Sequence, residues 1–456
     1  MKENRGRLMT EGPIARQIIA FALPLLLGNI FQQLYNTVDS MVVGNYIGKE
    51  ALAAVGSSGS LINLVISAFM GLSIGASVVI SQSFGAGKEE EVSDAVHTTV
   101  AFGLLGGLAV TLLGVLLSPQ ILRWMGTPEN VMPESLAYFR VYFGGVMSLV
   151  MYNVFGAILR AVGDSRRPLY FLIVSTLLNI ALDLLFVAVF SWGVTGVALA
   201  TVIAQGVSAL LELWVLCRSE GAFRVVLRKV RLHRDILRRI LRIGLPSALQ
   251  NSVVSISNVV VQANINAFGD LAMAGCGAYN KIDGFAIMPA MSFSMAVTTF
   301  VGQNRGAGQF DRIQKAARFT VLTSMIVTQT IGFGVWFFAP QLIGLFNSDP
   351  QVIAFGALMA KWIAPFYFML AGTHTQAGAL RGVGLTRVPM LVFLTFWCGL
   401  RMLWILTMVH VIPDIRVVFL GYPITWTCSA IVLWIYQKKR DWVHSGDQPE
   451  KTADAS

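Results

Sequence analysis

Charged side chains are scarce in this sequence. They make up 13% of its 456 residues, whereas apolar residues make up 55%. Soluble globular domains carry about 25% charged residues, so the composition excludes two or three soluble domains. The charges that exist are confined to short stretches between long apolar runs. Each run exceeds the ~20 residues that cross a bilayer as a helix, which predicts an all-α polytopic membrane protein.

Cysteine is nearly absent, and complete enzyme motifs are missing. No pair of cysteines has metal or redox spacing, so core packing is the expected role of all four: Cys217, Cys276, Cys398 and Cys428. There is no His-Glu-x-x-His zinc motif, and Ala161 breaks a Gly-x-Gly-Asp aspartyl-protease match. The segment 85–88 lacks the first glycine and the final Ser or Thr of a phosphate loop. We therefore expect neither an enzyme nor a bound cofactor.

Twelve apolar runs are long enough to span the membrane. The first is too long for a signal-peptide core and lacks a convincing cleavage site, so we expect it to be retained. The predicted spans are Ile14–Val43, Leu52–Ser81, Val92–Leu117, Ser135–Ala161, Pro168–Phe190, Val194–Cys217, Ile240–Phe268, Met273–Val301, Ala316–Phe338, Val352–Leu380, Val388–His410 and Val417–Tyr436.

The net charge of +10 follows from topology rather than from a nucleic-acid surface. With the amino terminus in the cytoplasm, the tails and even-numbered hairpins hold 27 of the 34 Lys and Arg residues. Such an excess marks the cytoplasmic side of a membrane protein. We predict a plasma-membrane protein with both termini inside, in contact with an anionic inner leaflet and without a nucleic-acid partner.

The chain is an internal duplication. Residues 82–87 read Gln-Ser-Phe-Gly-Ala-Gly, and residues 303–308 read Gln-Asn-Arg-Gly-Ala-Gly. The offset between these hexapeptides also pairs Gly48 with Gly269, Gly56 with Gly277, Pro119 with Pro340, Arg160 with Arg381, Gly163 with Gly384 and Pro168 with Pro389. Each copy holds six spans, an even number, so both enter the membrane in the same orientation. Two such bundles can provide alternating access to a central cavity.

Four segments follow from the repeat and the charges. Residues 1–217 form an amino-terminal lobe of six spans, and residues 240–436 form a carboxy-terminal lobe of six more. Residues 218–239 are a basic cytoplasmic linker, which we expect to lie as an amphipathic segment on the anionic leaflet. Residues 437–456 are predicted to be a disordered cytoplasmic tail.

Intramembrane acids mark a candidate ion site. An ionisable group at the bilayer centre costs at least ~2.5 kcal/mol and is a functional hypothesis by default. Asp39 ends a polar stripe on span 1, Asp183 follows Asn179 by one turn on span 5, and Thr201 adds a hydroxyl on span 6. These oxygens suit Na⁺, and the carboxylates suit H⁺ equally well. Glu212 is near the cytoplasmic end of span 6, where we expect it to reach the interface.

A cavity and a hinge are predicted from further polar and proline residues. The candidate cavity residues are Gln33, Asn36, Asn258, Gln262 and Asp283. Trp404 stands at the repeat position of Asp183, so ion coupling is expected in the first half alone. Pro24 removes a helix hydrogen bond on span 1, and its repeat counterpart is Pro246. We predict a hinge at Pro24, with a static kink as the alternative.

These residues together resemble the multidrug and toxic compound extrusion (MATE) family. The resemblance rests on the duplicated six-helix unit, the two Gln-x-x-Gly-Ala-Gly turns, Arg160 with Gly163-Asp164, Pro24 and Asp39. It implies two six-helix lobes forming a V around a central cavity, and export of drugs or metabolites against H⁺ or Na⁺ influx. The match is to the branch with an amino-lobe cation site, which implies that role for Asp39, Asn179, Asp183 and Thr201.

The substrates and partners are expectations at this point. The predicted acids and abundant Met and Phe favour cationic amphipathic compounds, carried by a protein that functions as a monomer. A lipid-linked saccharide flippase of the same superfamily is the alternative. It is favoured only if three basic residues line the cavity: Lys281, Lys361 and Arg401, the last being deep in span 11.

Overall fold

The computed structural model describes residues 6–43, 49–124, 126–127, 129 and 131–445, apart from the side chains of residues 40, 41, 49–65 and 68. The described chain is helical. Its α-helices are α1 Ile14–Val42, α2 Lys49–Gly85, α3 Glu89–Trp124, α4 Met132–Gly144, α5 Val146–Ala161, α6 Arg166–Asp183, α7 Gly193–Arg218, α8 Arg234–Asn266, α9 Asp270–Ala286, α10 Met288–Gly306, α11 Phe310–Phe337, α12 Ala339–Gly344, α13 Pro350–Ile363, α14 Tyr367–Gly382, α15 Arg387–Val392, α16 Arg401–Val411 and α17 Ile415–Lys439.

The duplication is visible in the helix boundaries. Helix α3 begins at Glu89 and α11 at Phe310, which are equivalent positions in the two copies. Helix α6 begins at Arg166 and α15 at Arg387, and these positions are equivalent too. Both last-named helices continue as π-helical turns, Leu184–Val189 after α6 and Phe393–Leu400 after α15. The repeat predicted from sequence is therefore a repeat of helices.

The helices occupy the positions of the twelve predicted spans. Nine helical segments in the described chain are long and apolar enough to cross a membrane, or ten if α4 and α5 form one span bent by 43°. Helices α2 and α8 do not meet this criterion of length and hydropathy. Part of α2 falls outside the described side chains, and α8 carries many polar residues. The all-α polytopic fold is confirmed.

Glycine closes the helices at both copies of the hexapeptide. Gly87 and Gly308 have φ angles of 68° and 70°, which L side chains rarely adopt. The next amides complete the caps, with Lys88 N donating to Ser83 O at 3.1 Å. A tight turn between helices therefore accounts for these glycines, and a phosphate loop is not needed to explain them.

The helices form two compact units. Among the described residues, unit 1 comprises those of 6–8 and 23–248, and unit 2 comprises those of 9–22 and 249–445. Each unit has its own apolar core. The chain changes unit within α1, next to Pro24, and again within α8, next to Pro246. The units thus differ from the predicted lobes of 1–217 and 240–436 by exchanging short segments at these prolines.

The linker between the repeats is packed into unit 1. It is shorter than predicted because α8 already begins at Arg234. Phe223 is 1% exposed, His97 Nε2 accepts from Val226 N at 3.0 Å, and His233 is 3.3 Å from Asp94. The segment is therefore held on the end of α3 rather than simply placed on a bilayer surface.

The predicted disordered tail is partly ordered. Helix α17 runs to Lys439, and Trp442 and Val443 beyond it are 6% and 0% exposed. These two side chains join the core of unit 2, which holds residues 440–445 in place. Residues 446–456 lie outside the described residues, so disorder there stays a prediction.

Candidate functional site

Two carboxyl groups meet in unit 1. The carboxyl group of Asp39 on α1 lies beside that of Asp183, the last residue of α6. Two adjacent carboxylates repel each other, so a proton or a cation held between them stabilises the pair. In the amide orientation that serves both acids, Asn179 Nδ2 donates to Asp39 Oδ1 at 2.9 Å and to Asp183 Oδ2 at 3.3 Å. The sequence-predicted pair and its amide are brought together.

Thr201 and a tyrosine complete the inner surface of the site. Thr201 on α7 lies close enough to Asp39 to interact with it. Tyr35 lies one turn before Asp39 on α1, beside Thr201. Asn179 and Asp183 are fully buried, whereas Asp39 is half-buried. The cluster therefore presents several oxygen atoms, the ligand type that a hard cation such as Na⁺ prefers.

The backbone explains why these residues converge. Helix α1 packs on α6 at Gly28, where a Cβ would make an ordinary contact with Leu172 at 3.6 Å. Ser175 Oγ on α6 donates to Ala204 O on α7 at 2.9 Å, which fixes the level at which these two helices pair. The π-helical turns begin directly after Asp183, and such insertions are frequent at functional sites.

Tyrosines near the pair were not anticipated from sequence. Tyr138 and Tyr142 on α4 stack at 6.0 Å between ring centroids and lie close enough to Asp39 to interact electrostatically with it. Tyr35 could have been found, because its spacing from Asp39 places both on one helix face. Tyr138 and Tyr142 offered no comparable signal, since aromatic residues are common in membrane spans.

Glu212 corrects an expectation. It does not reach the interface, because its side chain is 0% exposed within unit 1. Its charged neighbour is Arg160 on α5, and Gly156 leaves the room, since a Cβ there would lie 2.8 Å from Arg160 Nη1 and 3.3 Å from Glu212 Oε1. The prediction that Glu212 reaches the interface, made from its position near a helix end, is therefore wrong.

In unit 2, Asp283 is bound by two tyrosines. Tyr367 OH donates to Asp283 Oδ1 at 2.5 Å, and Tyr279 OH donates to the same atom at 3.2 Å. The two hydroxyls are 2.8 Å apart. Tyr279 is one turn before Asp283 on α9, but Tyr367 comes from the start of α14. Lys281, close to Asp283 in sequence, is exposed and lies over the Phe346 ring at 5.5 Å.

The structure shows contacts of Arg401 that could not be identified from the sequence. Its Nη2 donates to Thr425 Oγ1 at 2.9 Å, and its guanidinium lies over the rings of Tyr422 and Trp397, at 4.5 and 5.2 Å. Asn258 Oδ1 is 3.5 Å from Arg401 Nη1. Arg401 is 1% exposed, so cation–π contacts with two rings stabilise a charge that is out of water.

The remaining predicted cavity residues occupy separate positions in their units. Gln262 Nε2 donates to Asn266 Oδ1 at 2.8 Å, and Asn280 Nδ2 is 3.4 Å from Gln262 Oε1. On α1, Gln33 is half-buried and Asn36 is exposed. The role of these residues in a substrate cavity stays a prediction.

Comparison with known proteins identifies the family. The profile of the MatE family matches residues 24–185 and again residues 246–404. The chain belongs to the MATE family. The double match coincides with the two repeats, and the two matches begin at the prolines, Pro24 and Pro246. The protein is a multi-pass membrane transporter, not an enzyme.

Curated relatives and solved structures agree with this assignment. The chain is 32% identical to the probable multidrug resistance protein YpnP of Bacillus subtilis, over 85% of this chain and 87% of that one. It is 31% identical to the probable multidrug resistance protein NorM of Thermotoga maritima, over 84% and 83%. An outward-facing multidrug resistance MATE transporter has the same fold, with a TM-score of 0.88 at 25% identity over 94% and 96%.

Proposed function

We propose that this MATE transporter is an antiporter that exports organic compounds in exchange for H⁺ or Na⁺. The observation that carries the proposal is the Asp39–Asp183 pair with its Asn179 donor. A proton or a cation stabilises these adjacent acids, because two bare carboxylates would repel each other at close range. Such a site changes its charge when it is loaded, which is what a coupling site requires.

The amino-terminal unit is the proposed location of coupling. At the repeat positions of Asp183 and Asn179, the second copy carries Trp404 and Leu400. Trp404 Nε1 donates to Val417 O at 2.9 Å, so that position serves packing. This asymmetry supports the branch of the family whose cation site lies in the amino-terminal lobe.

The proposed substrates are cationic and amphipathic. The relatives YpnP and NorM are named as multidrug resistance proteins, which supports export of drugs by this chain. Its 18 Met and 28 Phe residues provide apolar side chains that repack around varied shapes. Preferred binding of anionic lipid-linked sugars by the purified protein would contradict this substrate class and favour the flippase alternative.

The proposed cycle uses the charge of the Asp39 site. In the unloaded state, ionised Asp39 interacts with Asn179 and Thr201, which holds α1 in one conformation. A bound proton or cation removes that requirement and favours a second conformation, in which the exported compound is released. The coupling ion shifts this equilibrium only through its different affinity for the two states. The protein is proposed to work as a monomer in the plasma membrane, with both termini in the cytoplasm.

The test is transport by purified protein in proteoliposomes, under a pH gradient and a sodium gradient applied separately. Asp39→Asn should abolish efflux of a fluorescent organic cation under either gradient, because the site loses one of the two carboxyl groups that together hold the ion. Asp311→Asn, an exposed acid in the first turn of α11, is the matched control and should transport like the wild type. Wild-type rates in Asp39→Asn would show that coupling lies elsewhere.

A further inference from the structure

A row of polar residues leads away from the cation site along α7. Thr201 is followed by Gln205, Ser208 and Glu212, at intervals of four, three and four positions. This spacing places all four on one helix face. At a rise of 1.5 Å per residue, the row is about 16 Å long. It runs from the site towards the Arg218 end of α7, which the charge pattern places in the cytoplasm.

The row is buried and its polar atoms are unsatisfied. Gln205, Ser208 and Glu212 are 4%, 0% and 0% exposed. Among the described residues, no partner of normal geometry exists for Gln205 Oε1, Ser208 Oγ or either Glu212 oxygen. About 90% of buried polar groups are hydrogen-bonded in folded proteins, so four unsatisfied atoms on one helix face indicate a ligand.

Packing alone does not account for these atoms. Ser175 on α6 shows what a structural hydroxyl does here, since it donates to Ala204 O at 2.9 Å. A structural ion pair would explain Glu212 beside Arg160, but it leaves Gln205 and Ser208 unexplained. Their unsatisfied atoms lie between Glu212 and the cation site, so one ligand-filled row accounts for all of them.

The far end of the row is a charged cluster. Glu212 is flanked by two residues of α5, Arg160 and Tyr152. The acids at the other end are Asp183 on α6 and Asp39 on α1, with Tyr138 and Tyr142 of α4 beside them. Arg160 offsets part of the cost of a negative charge on buried Glu212, so this acid can be ionised inside the unit.

We propose that this row is a water-filled route by which the coupling ion passes between the Asp39–Asp183 site and the cytoplasmic end of unit 1, with Glu212 as its inner binding position. The proposal rests on ion coupling at Asp39 as proposed above. The route lies within one unit, so the ion and the organic substrate need not share a path. Hydroxyl, amide and carboxylate oxygens are the groups that can solvate Na⁺ or relay H⁺ through bound water.

The first test asks whether the route contains water. Ser208→Cys and Ala209→Cys are made in a cysteine-free background, and the purified full-length proteins are treated with a small water-soluble thiol reagent. Ala209 is an adjacent α7 residue in the apolar core of unit 1, so it is the matched control. Ser208→Cys should react several-fold faster although Ser208 is fully buried. Equal or slower reaction would overturn the route, whatever the result for coupling.

The second test asks whether the route carries the ion. Glu212→Gln and Ser208→Leu, which fills the row with an apolar side chain, should lose gradient-driven efflux yet still bind the coupling ion at equilibrium. Ser324→Val, which removes an equally buried and unsatisfied hydroxyl from α11, is the control and should transport normally. If the wild type is driven by an ion gradient and efflux is unchanged in both Glu212→Gln and Ser208→Leu, the proposed route is wrong. A wild type with no ion dependence would overturn the proposed coupling instead.

Discussion

The buried acids of this protein have different surroundings, and these predict different roles. Asp39 and Asp183 contact each other and an amide donor, so their joint charge depends on what is bound. Asp283 instead receives two tyrosine hydroxyls. Hydrogen bonds from neutral donors stabilise an ionised carboxylate without a bound ion. The two tyrosine donors therefore offset part of the cost of a negative charge on Asp283, and this environment favours a contact with cationic substrates over ion coupling.

Neutralising Asp283 should change which compounds are exported and leave ion coupling intact. Asp283→Asn removes the charge while its amide oxygen can still accept from Tyr367 and Tyr279, so the fold should be preserved. The measurement is efflux of a panel of cationic and neutral compounds under each gradient. Asp270→Asn, an exposed acid at the start of the same helix, should leave the panel unchanged. Loss of all gradient dependence in Asp283→Asn would show that ion coupling also involves unit 2.

At the scale of helices, the two prolines coincide with changes of unit. Pro24 lies just after the point where α1 passes from unit 2 to unit 1, and Pro246 lies just before α8 passes from unit 1 to unit 2. Each proline removes one helix hydrogen bond, and α1 and α8 are nevertheless continuous through them. The weakest points of these helices thus lie where the helix joins two separately packed bodies.

Pro24→Ala should retain binding of the coupling ion and slow turnover. The alanine restores a backbone hydrogen bond and stiffens α1 at the junction, while the site at Asp39 is about 22 Å away along the helix. Ion binding is measured by calorimetry and turnover by proteoliposome efflux. Pro350→Ala is the control, because Pro350 is the first residue of α13 and a proline there removes no hydrogen bond within the helix. Wild-type turnover in Pro24→Ala would contradict the hinge hypothesis and favour a static kink at Pro24.

Helices α2 and α8 pack with their backbones in contact within unit 1. A Cβ on Gly75 would lie 2.5 Å from Ile240 O and 2.6 Å from Gly244 N. Small residues at a helix crossing permit such close approach in membranes. Because the opposing atoms belong to the backbone, they cannot move aside as a side chain would.

Gly75→Ala should therefore destabilise the protein by about 1–3 kcal/mol, the usual cost of overpacking. The measurement is the free energy of unfolding in detergent. Gly277→Ala is the control, since a Cβ there meets no atom within 4 Å. Equal stability of the two variants would mean that the α2–α8 contact is looser than described.

At the scale of the whole molecule, the repeat has a consequence for topology. Corresponding turns of two six-span copies must lie on the same side of the membrane, because an even number of crossings returns the chain to its starting side. Gly87 and Gly308 end corresponding helices with the same left-handed conformation. Glu129 follows α3, one span further along the chain.

Single cysteines at or next to these residues test this topology, as Lys88→Cys, Gln309→Cys and Glu129→Cys, all at exposed positions. In a cysteine-free protein, a membrane-impermeant thiol reagent added to intact cells should label the cysteine at 129 and neither of the others. Opening the cells should expose both 88 and 309. Labelling of 88 and 309 from opposite sides would rule out parallel repeats, and labelling of both from outside would invert the proposed orientation.

Much of the fold could be predicted because it follows from local patterns in the sequence. Apolar runs set the spans, the constant offset between the two hexapeptides and their flanking residues set the repeat, and helical spacing placed Asn179 and Asp183 on one face. The ends of elements were less predictable. Trp442 and Val443 are held by the core of unit 2, and the linker by side chains of α3 such as His97. Those contacts join residues far apart in sequence, and no local pattern reports them.

The sequence by itself determined that this is a duplicated, twelve-span membrane protein with three acids that need partners, because burial in a bilayer penalises a charge wherever the helices lie. Only the tertiary structure decided which partners they have. The rotation of each helix about its axis, fixed by packing, brings Asp39 to Asp183 and Tyr367 to Asp283. The same packing turns Glu212 inward beside Arg160, although its position near a helix end had suggested the surface.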